Sequence, residues 1–122
     1  MEYLYVGLGG LIGSNARYWV GGWVAERLAT TFPYGTLLIN VSGSLLLGFI
    51  TSYLALRTFS PNWRLFLAVG FCGGYTTFST YTYESVRLLE QGNFLLAFLY
   101  FLGGPFVGLL AAFAGLALGR AV

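Results

Sequence analysis

Length, composition and charge already restrict what this chain can be. Of its 122 residues, 57% are hydrophobic and only 8% are charged. A soluble domain carries about 25% charged residues because its surface faces water, so this composition predicts a protein surrounded by lipid. The net charge of +2 comes from six scattered arginines, without the basic run that would indicate nucleic-acid binding.

The inventory of reactive side chains makes an enzyme improbable. The chain contains no His, Lys or Asp, and Cys72 is its only cysteine. A nucleophile–His pair and a His/Cys zinc site are therefore impossible. A single cysteine also excludes an internal disulfide.

Four apolar stretches predict an all-α membrane protein with four transmembrane helices. A span needs about 20 mostly apolar residues to cross a hydrocarbon core about 30 Å thick. The stretches cover about residues 3–24, 34–56, 65–86 and 94–118, which leaves one domain and no room for a soluble one. Four helices enclose little space, so we expect an oligomer.

The first predicted helix carries Gly9 and Gly13, a G-x-x-x-G pair. This spacing lets two helix backbones approach closely. Arg17 lies near the end of the helix, and two roles are open for it. It could gather anions at a vestibule, or it could extend to the lipid headgroups without a role in transport.

The second predicted helix has its polar residues on one face. Thr36, Asn40, Ser44 and Gly48 recur every four residues, which places them in one stripe. The Asn40 amide could donate to a passing anion or form an interhelical hydrogen bond that holds the bundle together. Its place in the stripe favours a lined pathway.

The centre of the third predicted helix reads GFCGGYTTFSTYTY, residues 70–83. Gly-Gly followed by Thr-Thr forms helix poorly, because glycine loses much backbone entropy and threonine is stiff. We therefore expect this helix to be broken at mid-membrane. Carbonyls freed at such a break can coordinate a small cation, and two from each of two chains would supply four oxygens for Na⁺. The alternative is that the glycines only permit close packing.

Three side chains beyond the expected break could contribute to an anion pathway. Phe78 and Tyr81 lie three residues apart on one helical face, and the edges of aromatic rings carry positive partial charge. Packing or contact with lipid is the alternative for both rings. Glu84 could line a water-filled mouth or pair with Arg87 on the same helix.

The arginines favour neither orientation of the chain in the membrane. Four spans place three arginines on one side and two or three on the other, so the positive-inside rule gives no preference. Such a chain can insert both ways, and two opposite copies can pair as an antiparallel, dual-topology dimer. The first side holds Arg57, Arg64 and Arg120, and the second holds Arg27, Arg87 and, at the end of its helix, Arg17.

Three segments resemble the signature stretches of the Fluc/CrcB family of fluoride channels. They lie in the right order on the first three predicted helices, and the resemblance extends over about residues 5–118. The third segment, with its G-G-x-T-T-F-S-T run, is the most specific. The segments are GGLIGSNARYW (9–19), PYGTLLINVSGSLLLG (33–48) and GFCGGYTTFSTYTYE (70–84).

The resemblance implies a fluoride-specific channel that is an antiparallel dimer of four-helix subunits with two pores. It implies a structural Na⁺ at the dimer centre, not transported, with the main-chain carbonyls of Gly73 and Thr76 as ligands. Asn40 would be the pore asparagine, Phe78 the first ring of a pore phenyl pair, and Arg17 the vestibule arginine.

Further positions match the family's pattern. Glu84 matches a glutamate near the pore mouth, and Thr77 and Ser79 match hydroxyls that follow the break. Tyr100 matches a tyrosine that the family presents along the pore. Tyr81 stands where the second phenyl ring is expected.

Two departures from the family's pattern bear on the pathway. Tyr81 replaces a phenylalanine, and its hydroxyl could reorient the ring or supply a donor of its own. Gly104 and Gly108 stand where serines would line the pore, with Pro105 between them. The polar track on the fourth helix is therefore depleted.

We expect a passive fluoride channel in the plasma membrane (the inner membrane in many bacteria) of a bacterium or archaeon, where it would let fluoride leave the cytoplasm and so reduce its toxicity. The dimer could pair identical chains or this chain with a related one.

One alternative is a small multidrug-type exporter, but its proton coupling needs a carboxylate within the first span, and Glu2 and Glu26 lie outside it. The other alternative is a non-transporting assembly subunit, which needs neither a broken helix nor a polar stripe.

Overall fold

The computed structural model describes residues 1–122, and every regular element in it is a helix. The all-α class predicted from the sequence is therefore confirmed. In chain order the helices are α1 (Glu2–Arg27), α2 (Tyr34–Ala55), α3 (61–75), α4 (Phe78–Glu90) and α5 (Phe94–Ala121).

Helix α3 consists of three contiguous pieces. An α-helical turn, Pro61–Arg64, leads into a π-helical stretch, Leu65–Cys72, and a last α-helical turn, Gly73–Tyr75. Ser60 caps its start, because the side-chain oxygen accepts a hydrogen bond at 3.3 Å from the backbone amide two residues later. Pro61 follows at a position where a helix needs no amide donor.

Helices α1 and α3 approach each other through glycines. A Cβ atom on Gly9 would collide with the carbonyl oxygen of Phe66, and a Cβ atom on Gly13 would collide with that of Phe71. Small residues at this spacing allow two backbones to touch. The G-x-x-x-G pair of the first helix is thus a contact within one chain.

Helix α2 packs most extensively against α5. A Cβ atom on Gly48 would collide with the carbonyl oxygen of Ala112, and one on Gly115 would collide with that of Leu45. These glycines therefore bring the two helices into backbone contact. The α1–α3 pair and the α2–α5 pair together position the segment between α3 and α4.

The outer surface of the chain is strongly apolar. Only 20 of the 122 residues are buried, so one chain by itself encloses little. Large side chains of α5, such as Leu95 and Phe98, are exposed, and an apolar surface of this extent indicates contact with lipid or protein. Helices α2 and α5 are each long and apolar enough to cross a membrane.

Candidate functional site

The backbone leaves helical geometry between α3 and α4, at Thr76 and Thr77. Their ψ angles are 156° and 118°, which are values of extended chain. The Thr76 hydroxyl donates to the Cys72 carbonyl at 2.8 Å and closes the last turn of α3. The Thr77 hydroxyl oxygen accepts a hydrogen bond from the Thr80 amide at 3.3 Å and so caps the start of α4. We call these two residues the junction.

The Asn40 side chain on α2 binds both backbone groups of Thr77. Its Nδ2 donates to the Thr77 carbonyl oxygen at 3.0 Å, and its Oδ1 accepts from the Thr77 amide at 2.9 Å. In a continuous helix that amide would donate to the carbonyl of Gly73, four residues earlier. Asn40 therefore stabilises the junction and deprives the Gly73 carbonyl of its helical partner.

Arg17 reaches the end of α3 from α1. Its Nε donates to the Gly74 carbonyl oxygen at 3.0 Å, in the last turn of α3, where carbonyls lack helical partners. A guanidinium has five N–H donors, and only one of them is used in this contact. Arg17 thus supports the end of α3 and keeps further donors for another acceptor.

A groove of about 620 Å³ lies beside Arg17. We call it the arginine groove. Residues of α1, α2, the junction and α4 line it, and its hydroxyl groups come from Tyr18, Thr36, Thr77 and Thr80. Glu26, at the far end of α1, is its only acidic residue.

A second groove, of about 480 Å³, lies between α2, the junction and α5. We call it the asparagine groove. Thr77 lines both grooves, so the bonded pair of Asn40 and Thr77 lies where the two adjoin. The side chains that give this groove its character are Asn40, Ser44, Phe78, Tyr81 and Tyr100, and Gly104, Pro105 and Gly108 form its α5 wall.

The polar stripe of α2 is divided between these surfaces. Thr36 lines the arginine groove, and Asn40 and Ser44 line the asparagine groove. Gly48 faces the backbone of α5 instead. Three of the four stripe residues therefore line a groove.

Phe78 and Tyr81 are close together but differ in their surroundings. Their ring centroids are 5.9 Å apart, with the planes inclined at 50°. Phe78 is 77% exposed, whereas Tyr81 is 6% exposed. The Tyr81 hydroxyl donates to the carbonyl oxygen of Phe101 on α5. Tyr81 thus belongs to the contact between α4 and α5, and Phe78 presents its ring outward.

The partner of Glu84 is Tyr100 rather than Arg87. The Tyr100 hydroxyl donates to Glu84 Oε1 at 3.4 Å across the contact of α4 with α5. Tyr100 is almost fully buried, at 1% exposed. Its hydrogen bond therefore holds the Glu84 carboxylate at the interface between α4 and α5. Ser79, in contrast, is exposed and lines neither groove.

Three residues near the junction were not expected from the sequence. The hydroxyls of Ser42 and Tyr75 are 3.0 Å apart and connect α2 with the last turn of α3. Thr80 accepts a hydrogen bond from the Thr77 hydroxyl at 3.0 Å. The spacing of an N-cap residue and the third helical position could have indicated Thr80, whereas Ser42 lies off the stripe and carries no such signal.

A cation at this site would need oxygen ligands from the main chain. The chain has no cluster of three His, Cys, Asp or Glu side chains. The Thr76 carbonyl accepts no hydrogen bond within the chain, and the Gly73 carbonyl has lost the Thr77 amide to Asn40. Carbonyl oxygens of an interrupted helix are ligands that Na⁺ uses in membrane proteins, so both groups fit such an ion.

Comparison with known proteins gives consistent matches along the chain. The family described as CrcB-like protein, Camphor Resistance (CrcB), matches residues 4–116. A fluoride-specific ion channel FluC of Acidobacterium capsulatum is 47% identical over 123 residues, which cover 100% of this chain and 98% of the relative. That of Thermus thermophilus is 49% identical over 122 residues, covering 99% and 95%. That of Rhizobium meliloti is 44% identical over 120 residues, covering 98% and 96%. All three are named as ion channels and none as an enzyme.

Proposed function

The chain belongs to the CrcB family, and from that premise we propose that it is a fluoride-specific ion channel. The relatives that carry this name match almost the full chain at 44% to 49% identity. Such a channel would lie in the plasma membrane as a multi-pass protein. It would let fluoride leave the cytoplasm and so reduce its toxicity.

The observation that supports this function best is the pair of grooves that adjoin at Asn40 and Thr77. Fluoride must exchange its hydration shell for hydrogen-bond donors along its path. Asn40 uses one amide N–H for the Thr77 carbonyl and keeps the second. Arg17 keeps the donors that it does not use on Gly74. The grooves therefore offer donors on both sides of the junction.

The aromatic residues of the asparagine groove add a second kind of contact. Ring edges carry positive partial charge, and the rings of Phe78 and Tyr81 both line this groove. Phe78 is largely exposed, so its ring edge is accessible to an ion or to another subunit. Thr77 and Tyr100 contribute hydroxyl oxygens to the same walls, and Ser79 lies just outside them. The vestibule would be formed by Arg17 at the arginine groove and by Glu84 in the middle of α4.

A passive mechanism agrees with the distribution of charge. Active export by proton coupling would need an ionisable relay within the membrane. α1 carries Glu2 and Glu26 only near its two ends, which does not fit the small multidrug-type exporter. A non-transporting assembly subunit would need close helix packing but neither of the two grooves.

We further propose that two chains pair as an antiparallel dimer. One chain buries only 20 of its residues and leaves Phe78 exposed beside the asparagine groove, so it supplies only part of a pathway wall. Its arginines favour neither orientation, which allows two opposite copies in one membrane. The interruption between α3 and α4 would then lie at mid-membrane, because residues 61–75 and Phe78–Glu90 are arms of comparable length. The second chain is identical to the first or a related family member.

A structural Na⁺ at the dimer centre would be held by the carbonyl oxygens of Gly73 and Thr76. Two oxygens per chain give four ligands across a two-fold axis. The ion would fix the two junctions relative to each other and would not move with fluoride. Its positive charge would offset the partial negative charge of the carbonyls at this point of the molecule.

Efflux from liposomes tests the proposed function. We expect liposomes that contain the purified protein to release fluoride rapidly and to retain chloride. Replacing Na⁺ by N-methylglucamine on both sides should reduce the fluoride flux, because the dimer would lose its central ion. Equal release of fluoride and chloride, or release of neither, would contradict a fluoride-specific channel formed by this chain.

A further inference from the structure

Pro105 lies within α5 and changes the hydrogen bonding of that helix. Proline has no backbone N–H, so the carbonyl four residues earlier loses its helical donor. That carbonyl belongs to Phe101. In a membrane an unpaired carbonyl is costly, and prolines are tolerated there when a neighbouring group satisfies the freed carbonyl.

The Tyr81 hydroxyl of α4 donates to this same Phe101 carbonyl. The Tyr81 ring is stacked on that of Phe101, with centroids 5.9 Å apart and planes inclined at 9°. A Cβ atom on Gly104 would lie 3.5 Å from Tyr81 Cε2, so the ring rests directly on α5 next to the proline. The donor missing from one helix is thus supplied by the adjacent one.

We propose that Tyr81 is a positioning residue whose hydroxyl replaces the amide donor that α5 lacks at Pro105. The hydrogen bond fixes the Tyr81 ring in the wall of the asparagine groove. It also occupies a carbonyl lone pair that would otherwise repel an anion beside Pro105. The part of this inference that concerns anions rests on the proposed function, and the hydrogen bond does not.

The Tyr81 hydroxyl could either fix the orientation of its ring or donate to an anion in the groove, and this role decides between the two. A hydroxyl has one O–H donor, and here that donor points at Phe101 rather than into the groove. Fluoride therefore meets the edge of the Tyr81 ring and not its hydroxyl. Tyr81 and Pro105 act as a pair, so the effect of changing one depends on the other.

A double-mutant cycle tests this dependence. The four proteins are the wild type, Tyr81→Phe, Pro105→Ala and the double variant, each measured for thermal stability in detergent and for fluoride flux in liposomes. Tyr81→Phe should lower the Tm and reduce the fluoride flux about tenfold, because a buried acceptor loses its donor. In the Pro105→Ala background the helix regains its own N–H, and the same Tyr81→Phe change should leave Tm and flux nearly unchanged.

Two further variants make the result unambiguous. Tyr83→Phe removes a hydroxyl from the same helix, but from a ring that is 62% exposed, and should behave as the wild type. If Pro105→Ala does not yield folded protein, Pro105→Ser restores the amide with another small side chain. Equal effects of Tyr81→Phe in both backgrounds, or no effect in either, would overturn the proposal. If the wild type carries no fluoride, the proposed function fails, and the Tm cycle alone still decides whether Tyr81 compensates for Pro105.

Discussion

A single side chain, Asn40, forms hydrogen bonds with both backbone groups of Thr77, where α3 ends and α4 begins. It binds the amide and the carbonyl of Thr77 at 2.9 and 3.0 Å. A buried backbone group without a partner costs about 1–3 kcal/mol. The pore role and the structural role of Asn40, which the sequence presents as alternatives, therefore concern the same amide group.

Substitutions at Asn40 should separate these two roles. Asn40→Leu removes the side chain that holds both Thr77 backbone groups in the extended junction, and we expect a clearly lower Tm together with loss of fluoride flux. Asn40→Asp keeps an acceptor for the Thr77 amide but places a carboxylate beside the proposed anion pathway. We expect it to lose fluoride flux with a smaller loss of Tm. Thermal unfolding in detergent and liposome efflux measure the two effects.

Asn15 provides the matched control for Asn40. Its Nδ2 donates to the Leu11 carbonyl of its own helix at 2.7 Å, and the residue is exposed. Asn15→Leu should therefore retain the Tm and most of the flux. Unchanged flux in Asn40→Leu would remove Asn40 from the pathway, and an unchanged Tm would show that the junction does not depend on it.

The residue contacts of the site were only partly predictable from the sequence. The spacing on α2 identified Asn40, because a polar stripe needs nothing beyond helical periodicity. It did not identify Thr77 as the partner, which lies 37 residues away. Similarly, Arg17 is recognisable as a charge in an apolar span, but its bond to Gly74 spans 57 residues. Which donor meets which carbonyl depends on how helices cross, and no local pattern encodes that.

At the scale of elements, the glycines of α1 determine how closely it approaches α3. The Cβ position of Gly13 is 3.0 Å from the Tyr75 amide nitrogen and collides with the Phe71 carbonyl. Both are backbone atoms of α3, so neither can move without shifting the helix that ends at the junction. The distance between α1 and α3 therefore also controls the reach of Arg17 to Gly74.

Gly13→Ala should weaken this packing. Inserting a methyl group into a close contact typically costs about 1–3 kcal/mol, and we expect a lower Tm and a reduced fluoride flux. Gly7→Ala is the matched control, because no atom lies within 4 Å of its Cβ position. Equal Tm values for the two variants would show that α1 and α3 do not rely on this contact.

Elements were more predictable than their details. Runs of apolar residues predicted where α1, α2 and α5 lie, whereas the single third span predicted at about residues 65–86 corresponds to two helices, residues 61–75 and Phe78–Glu90. The non-helical residues Thr76 and Thr77 lie within the Gly-Gly-x-Thr-Thr run, where local propensity is low. The π-helical stretch Leu65–Cys72 was not expected, because LFLAVGFC is an ordinary apolar sequence. This stretch packs against α1, a contact that the sequence of α3 alone does not contain.

At the scale of the whole molecule, the junction would connect the proposed anion pathway with the proposed dimer. The Thr77 amide, held by Asn40, leaves the Gly73 carbonyl available as a ligand. The Thr76 carbonyl is available because the chain is extended there. If these oxygens bind Na⁺ between two chains, one side chain influences both the groove wall and the dimer centre.

Asn40 should therefore control how strongly Na⁺ stabilises the protein. A ligand that binds only the folded state stabilises it by about 2.7 kcal/mol at a concentration of 100 Kd, so the wild type should show a higher Tm in Na⁺ than in N-methylglucamine. In Asn40→Leu the Thr77 amide is free to return to the Gly73 carbonyl, which removes one ligand per chain. We expect the Tm difference between the two cations to shrink in this variant and to persist in Asn15→Leu. If the Tm difference between Na⁺ and N-methylglucamine is the same in Asn40→Leu and Asn15→Leu, the availability of the Gly73 carbonyl does not depend on Asn40. No difference in the wild type would show that Na⁺ is not part of the structure.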